Sequence, residues 1–288
     1  MAFTSQDDII SEISNGKFYR TEWNKITGAA AYTANRWYDF SGLNGTPIAN
    51  AWTGTALAWQ STNESSAFSM FHGGNVTPDT KHILNIAAIT GVATGVPGTL
   101  MLVDMQGYWP GINANVGTLQ TLTGTPTIRY PSGQGCRLFT VTTTNTGATA
   151  HNISVTYTNQ AGTPGRTLPV TVSMTASAII PHIGHSGSAA NNYGPFLPFA
   201  SGDSGVQNVA NVQFSAASGA GAVALVMARP LATIPLVVAS LLSERDLLNQ
   251  LPSLPRIYDG ACLTWIYFAG AATGGSTNFY GSLESAYG

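Results

Sequence analysis

Between Met105 and Gly202 the chain runs 98 residues without a single Asp or Glu, and inside that stretch apolar and hydroxyl side chains alternate. In Asn152-Ile153-Ser154-Val155-Thr156-Tyr157-Thr158, the residues Ile153, Val155 and Tyr157 fall on one side of an extended chain and Ser154, Thr156 and Thr158 on the other. A period of two is the period of a strand with one buried face, and it cannot be carried by a helix. Leu138 to Thr144 and Thr167 to Met174 alternate in the same way, with turn sequences at Asn145-Thr146-Gly147 and Asn159 to Gly165 between them. Three such runs in succession predict an antiparallel meander. Strands at this spacing point to an all-β chain, an antiparallel β-sandwich or jelly roll.

The acid-free stretch also limits chemistry. Carboxylates supply many general acids, bases and metal ligands and orient catalytic histidines, so a third of the chain lacks the commonest catalytic groups. Charged residues make up 8% of the chain and hydrophobic residues 44%, so a normal core is paired with an unusually neutral surface. Eleven Lys and Arg against 13 Asp and Glu give a net charge of −2, with the cations scattered singly. No basic footprint for nucleic acid exists, and weak net charge does little to keep copies apart. The longest apolar run, Ile234 to Leu242, is interrupted by Pro235 and is too short to cross a bilayer as a helix, so no membrane partner is expected. The opening Met1 to Asp8 lacks the basic-then-apolar run of a secretory signal, and synthesis in a cytoplasm is expected. Cys136 and Cys262, two cysteines in apolar settings, are expected to be reduced and buried.

Other elements are read from local signals. Thr4 or Ser5 caps a short N-terminal helix with Asp7 and Asp8 in its first turn, apolar Ile9, Ile10 and Ile13, and Gly16 as terminator. An aromatic region from Phe18 to Trp59 comes next, read as core with neighbour contact as the second reading. Thr99 to Met105 is a strand leading to a turn-rich Gly107 to Gly111. Later strands are expected at Val209 to Phe214, Ala222 to Ala228, Ile234 to Leu241 and Leu263 to Ala269. Ser243 to Asp246 is expected to open a short helix with Leu247, Leu248 and Leu251 as its stripe and Pro252 as its end. The expected division is an arm and aromatic-rich β region over 1–98 and a sandwich core over 99–288, with one continuous domain as the alternative.

Candidate chemistry is sparse. Gly202-Asp203-Ser204-Gly205 has the look of a serine-protease nucleophile loop, but the acid that family places between its His and Ser is absent between His151 and Gly202. The other order, Asp104 with His151 and Ser204, has no supporting local sequence. His182 and His185 have a metal-like spacing without a nearby acid or thiol, and a loop pair bonded to backbone is the simpler reading. His72 and His82 read as turn or core-edge residues. Gly91 to Gly95 lacks the Lys of a phosphate loop. The sequence therefore names no catalytic residue, no metal ligand and no cofactor.

The stretch Asn145 to Arg166 resembles strand-turn-strand sequence in structural proteins of tailed bacteriophages. The opening Met1 to Ile10, Trp37-Tyr38-Asp39-Phe40 and Tyr193 to Pro198 resemble virion proteins of such phages as well. The resemblance implies a particle component with no catalytic residues to carry over. The chain departs from the usual shell protein, which resembles a long charged spine helix with an extended loop. The resemblance thus sets the expectation of a non-enzymatic decoration or cement protein on the virion head, binding the major capsid protein or other virion proteins and its own copies. A trimer is the expected homo-oligomer. Phe18, Tyr19, Trp23 and Trp37 are the expected interface residues of an anchoring arm, because an aromatic buries large area at low entropic cost. A tail module that stacks sugars on Trp52, Trp59 and Trp109 is the alternative, and a shell-forming capsid protein a further one.

Overall fold

The computed structural model describes residues 3–187, 193–250 and 254–288. Helix α1 (Gln6–Ser14) leads into β1 (Phe18–Ile26), β2 (Arg36–Asp39), β3 (Asn44–Thr46), β4 (Gln60–Ser61) and β5 (Lys81–Thr90). The middle of the chain holds β6 (Gly98–Asn113), β7 (Gln120–Thr121), β8 (Arg137–Thr144), β9 (His151–Asn159), β10 (Arg166–Thr167) and β11 (Val172–Met174). The last third holds β12 (Val206–Phe214), β13 (Ala222–Leu236), β14 (Ser243–Asp246), α2 (Leu247–Gln250), β15 (Arg256–Ile257), β16 (Leu263–Ala269) and β17 (Asn278–Tyr287).

The fold is all-β. The described strands form three sheets, ordered β14-β5-β17-β1-β3, β10-β9-β12-β7 and β2-β16-β6-β13-β8, and every strand pair is antiparallel. Two long strands organise the rest, for β6 and β13 pair with each other along nearly their whole length. One end of this ribbon packs Leu100, Leu102, Ile234 and Leu236 against Trp23, Ile83, Phe279 and Leu283 of the first sheet. The other end packs Trp109, Ile112, Leu225 and Met227 against Ile153, Val155, Val209 and Phe214 of the second. A third cluster, with Val103, Met105, Val141 and Val226, is covered by Phe68, Ile183 and Phe196. Nearly all these side chains are lost to solvent, which at about 25 cal/mol per Å² makes the ribbon the main source of stability.

Bulges let one ribbon serve two sandwiches. Pro230 pairs with Val103 and Ala232 with Leu102, so Leu231 is an extra residue on β13. Before it Val223, Leu225 and Met227 point into the core; after it Ala232, Ile234 and Leu236 do. Pro230, which cannot donate to a ladder, sits beside the bulge where that loss is tolerated.

Several expectations are corrected. Gly107 to Gly111 is no turn but the middle of β6, where Gly107 admits the neighbouring strand: a Cβ there would collide with the Gln60 carbonyl and the Trp59 ring. Ala222 to Ala228 and Ile234 to Leu236 are one strand, and the chain leaves it at Leu236 before the expected end at Leu241. Ser243 to Asp246 is strand β14 on β5, and the helix begins only at Leu247, with Asp246 Oδ1 accepting from the Leu248 amide at 3.0 Å. Leu251 and Pro252 lie outside the described residues. The run Thr167 to Met174 is broken between β10 and β11, leaving Val170 exposed. The regions on either side of residue 98 share a sheet, since β1 and β5 flank β17. Residues 18–26 pair along their whole length with β17, and Asn24 to Ile26 also with β3. The alternation of β9 is as expected, with Ile153, Val155 and Tyr157 buried and Ser154 exposed. Ser5 caps α1 in a capping box with Asp8.

Candidate functional site

Asp104 and Asp203 are both held by donors within the chain. Asp104, fully buried, accepts from Arg129 Nη2 at 2.5 Å, Arg129 Nε at 3.2 Å and the Cys262 amide at 3.0 Å. Asp203 accepts from Tyr157 Oη at 2.7 Å, Asn159 Nδ2 at 2.7 Å and Arg166 Nε at 2.9 Å. Burial pushes its pKa up, but these three donors outweigh that and hold it below the ordinary carboxylate range. Ser204 Oγ accepts from Gln134 at 3.0 Å, and His151 packs edge-on against Phe214 with Nδ1 3.0 Å from the Thr149 carbonyl oxygen. Asp104, His151 and Ser204 therefore each serve a different partner, and no relay joins them.

The histidine pair is interior. His185 lies 3.0 Å from Thr140 Oγ1 and 3.0 Å from the Pro195 carbonyl oxygen, and His182 Nε2 lies 3.2 Å from the Ser186 carbonyl oxygen. Burial lowers His185 to about 4, and burial with the Arg36 and His185 charges lowers His182 to about 3. His72 is likewise lowered to about 4 by burial and then by Lys81, whose Nζ is 3.2 Å from its Nδ1. Cys136 and Cys262 are free and buried, and burial pushes both thiols up to about 12, where neither is a nucleophile at neutral pH. Among the described residues no cluster of three or more His, Cys, Asp or Glu is placed to hold a metal ion. No described helix is long and apolar enough to cross a membrane.

The aromatic residues singled out in the sequence are distributed differently from expectation. Trp23 is core, 5.2 Å from Trp265 between ring centroids. Trp37 is half-buried against Phe268, Tyr19 is half-buried edge-on to Phe71, and Phe18 is exposed at the start of β1. Trp109 is fully buried, Trp59 packs on it at 4.6 Å, and Trp52 packs on Tyr108 at 5.0 Å. Trp109 therefore presents no open ring face for sugar stacking, while Trp52 and Trp59 are half-buried.

What the surface does offer is apolar. The connection from β13 to β14 carries Val237, Val238, Leu241 and Leu242 at 65, 53, 59 and 53% exposure, four large hydrophobic side chains within six residues. The loop is fixed, with the Ser240 amide donating to the Thr90 carbonyl at 2.8 Å at the end of β5. Leu242 borders a shallow depression on the outer face of the first sheet, where Ile89 and the 44% exposed Tyr280 lie among the charged side chains Arg20, Glu22, Glu244 and Glu284. Scattered single hydrophobics are normal on a surface; a dense, ordered cluster of this kind marks a contact site. Sequence reasoning missed it because Ile234 to Leu242 reads as one buried strand. The available signal was Pro235 near its start, and then Ala239-Ser240, a break in an otherwise continuous run.

No protein-family model matches the chain, and no curated protein matches it. Among solved structures, alignments are found with infectious bursal disease virus. The crystal structure of its VP2 subviral particle is 9% identical over 93% of this chain and 80% of that chain, with a TM-score of 0.17. The structure of its Gt strain is 10% identical over 94% of this chain and 79% of that chain, with a TM-score of 0.19. At such scores the two chain paths do not superpose, and the alignments carry no argument.

Proposed function

We propose that this chain is a non-enzymatic structural protein of a virion that works by surface contact, and more specifically a decoration protein that binds the head shell and its own copies. The observation that carries contact as its mode of action is the exposed run Val237, Val238, Leu241 and Leu242, held in place through Ser240. Supporting it, the candidate acids and histidines are committed to internal partners, and the outer face of β9 is hydroxyl and amide. The β9 face meets neighbours without charge repulsion and without a desolvated, unpaired ion. The placement on a virion rests on the sequence resemblance around Asn145 to Arg166 and at Trp37 to Phe40.

The test uses heads stripped of the protein and the purified chain added back. The double variant Val237→Asp with Leu241→Asp changes only exposed positions, so its melting temperature should stay within a few degrees of the parent. Its rebinding to heads should fall at least about tenfold, the cost of burying unpaired carboxylates at a contact. Undiminished rebinding would remove this surface from the contact. Turnover in a hydrolase screen, lost on Ser204→Ala, would overturn the non-enzymatic reading.

A further inference from the structure

A second surface feature has a different chemistry. Strand β8 pairs with β13 only as far as Ala228, while β13 runs on to Leu236, so beyond Ala228 that flank of β13 borders a groove. Its walls are Tyr130, Pro131 and Gln134 ahead of β8, Arg229 to Leu231 on β13, and Leu254 to Tyr258 around β15, enclosing about 660 Å³. Strand addition is blocked there, because Pro230 has no N–H and Arg245 Nη1 already occupies the Thr233 carbonyl at 2.7 Å. Any ligand must therefore be read by side chains.

Those side chains form a ladder. The Arg229 guanidinium lies 4.6 Å over the Tyr130 ring, Tyr130 meets Tyr258 edge-to-face at 4.7 Å, and the Arg256 guanidinium lies 4.2 Å over Tyr258. Each ring covers one face of a guanidinium and leaves its N–H edge directed elsewhere. Arg229 spends one N–H on the Gln134 carbonyl, and no described carboxylate lies within ion-pair distance of either arginine. Elsewhere Arg20, Arg129 and Arg166 each hold an acid. Two stacked, acid-free guanidiniums facing one apolar-walled groove are a preorganised receptor for carboxylates, which their forked geometry matches. Two cations on a chain of net charge −2 are too few for a polyanion such as nucleic acid.

We propose that this groove binds an extended acidic peptide segment of a partner protein, with a Glu or Asp carboxylate on each guanidinium and the intervening residues on Pro131, Pro230 and Leu231. The proposal does not depend on the contact surface at Val237 to Leu242. Its test is fluorescence anisotropy of the full chain with a labelled twelve-residue peptide repeating Gly-Glu-Pro-Glu, set against the Gly-Gln-Pro-Gln counterpart and with inorganic tripolyphosphate as competitor. The acidic peptide should bind at least about tenfold tighter than the neutral one, and Arg256→Gln, at an exposed position, should remove about that factor. Arg256→Lys should restore little of it, since an ammonium keeps the charge without the fork or the stack. Arg229→Gln should weaken binding similarly. Equal binding of both peptides, or unchanged affinity in Arg256→Gln, overturns the proposal. Displacement by tripolyphosphate at concentrations below those of the peptide overturns it in favour of a phosphate site.

Discussion

A histidine sealed from water is held neutral, and that has a signed consequence for stability. His72, His182 and His185 have folded-state pKa values of about 4, about 3 and about 4, below the ordinary value near 6.5. The unfolded chain takes up protons at these sites first, so stability is fully present above pH 6.5 and is lost as pH falls through the folded values. Shifts of this size correspond to an upper bound of about 3 kcal/mol for His72 and His185 and about 5 kcal/mol for His182. Asp39 works the other way: burial raises it to about 6 against hydrogen bonds from Ser41 and Gly42, so it gains stability on protonation as pH falls below 6. His82, Asp203 and Asp259, also lowered in the folded chain, add to the loss, so the net effect of acidification is destabilising. The melting temperature should decline between pH 6.5 and pH 4, and His185→Gln should flatten that decline. A melting temperature that is level or rises on acidification would show that these rings are protonated in the folded state.

Among the elements, the β6–β13 ribbon makes the sharpest demand on sequence. Strand pairing fixes which face each side chain meets, and a one-residue slip inverts it. Leu231 is the exception, because it opposes no residue of β6 and lies beyond the end of β8. Deleting Leu231 should bring Pro230↔Val103 and Ala232↔Leu102 into succession, giving a folded protein that melts several degrees lower. Deleting Leu225, which is paired on both sides with Trp109 and Thr140, should abolish soluble expression. Equal tolerance of the two deletions, read by circular dichroism and melting, would mean that the bulge does not set the register. The same contrast explains what was legible in advance. The half-buried strand β9 announced itself by alternation, whereas β6 and β13, buried on both faces, carry no period that tells a strand's end from a loop. Hence Gly107 to Gly111 read as a turn and Val237 to Leu241 as core. The groove was illegible for another reason: Tyr130, Arg229 and Arg256 are far apart in sequence and are brought together only by tertiary packing, through Tyr258.

For the whole molecule, the balance of forces available to an assembly is set by a surface that is nearly uncharged and apolar at one end of a sheet. Eleven cations and 13 anions leave a net of −2, and Lys17, Arg20, Arg129 and Arg166 are already held by acids within the chain. A net charge this small gives little field to steer a neighbour over distances longer than a Debye length, about 8 Å at physiological ionic strength. Contact through Val237, Val238, Leu241 and Leu242 instead gains by removing apolar area from water, a term that salt does not screen and that sulfate strengthens. Self-association and head binding should therefore change less than about threefold between roughly 0.05 and 1 M sodium chloride, and tighten in ammonium sulfate. Peptide binding in the Arg229–Arg256 groove should weaken across the same salt range, so one titration separates the two surfaces. Sedimentation velocity of the chain and co-sedimentation with heads measure the first, and anisotropy the second. A tenfold or greater loss of self-association and head binding with sodium chloride would show that ion pairs hold the assembly, and the apolar cluster would then have no part in it.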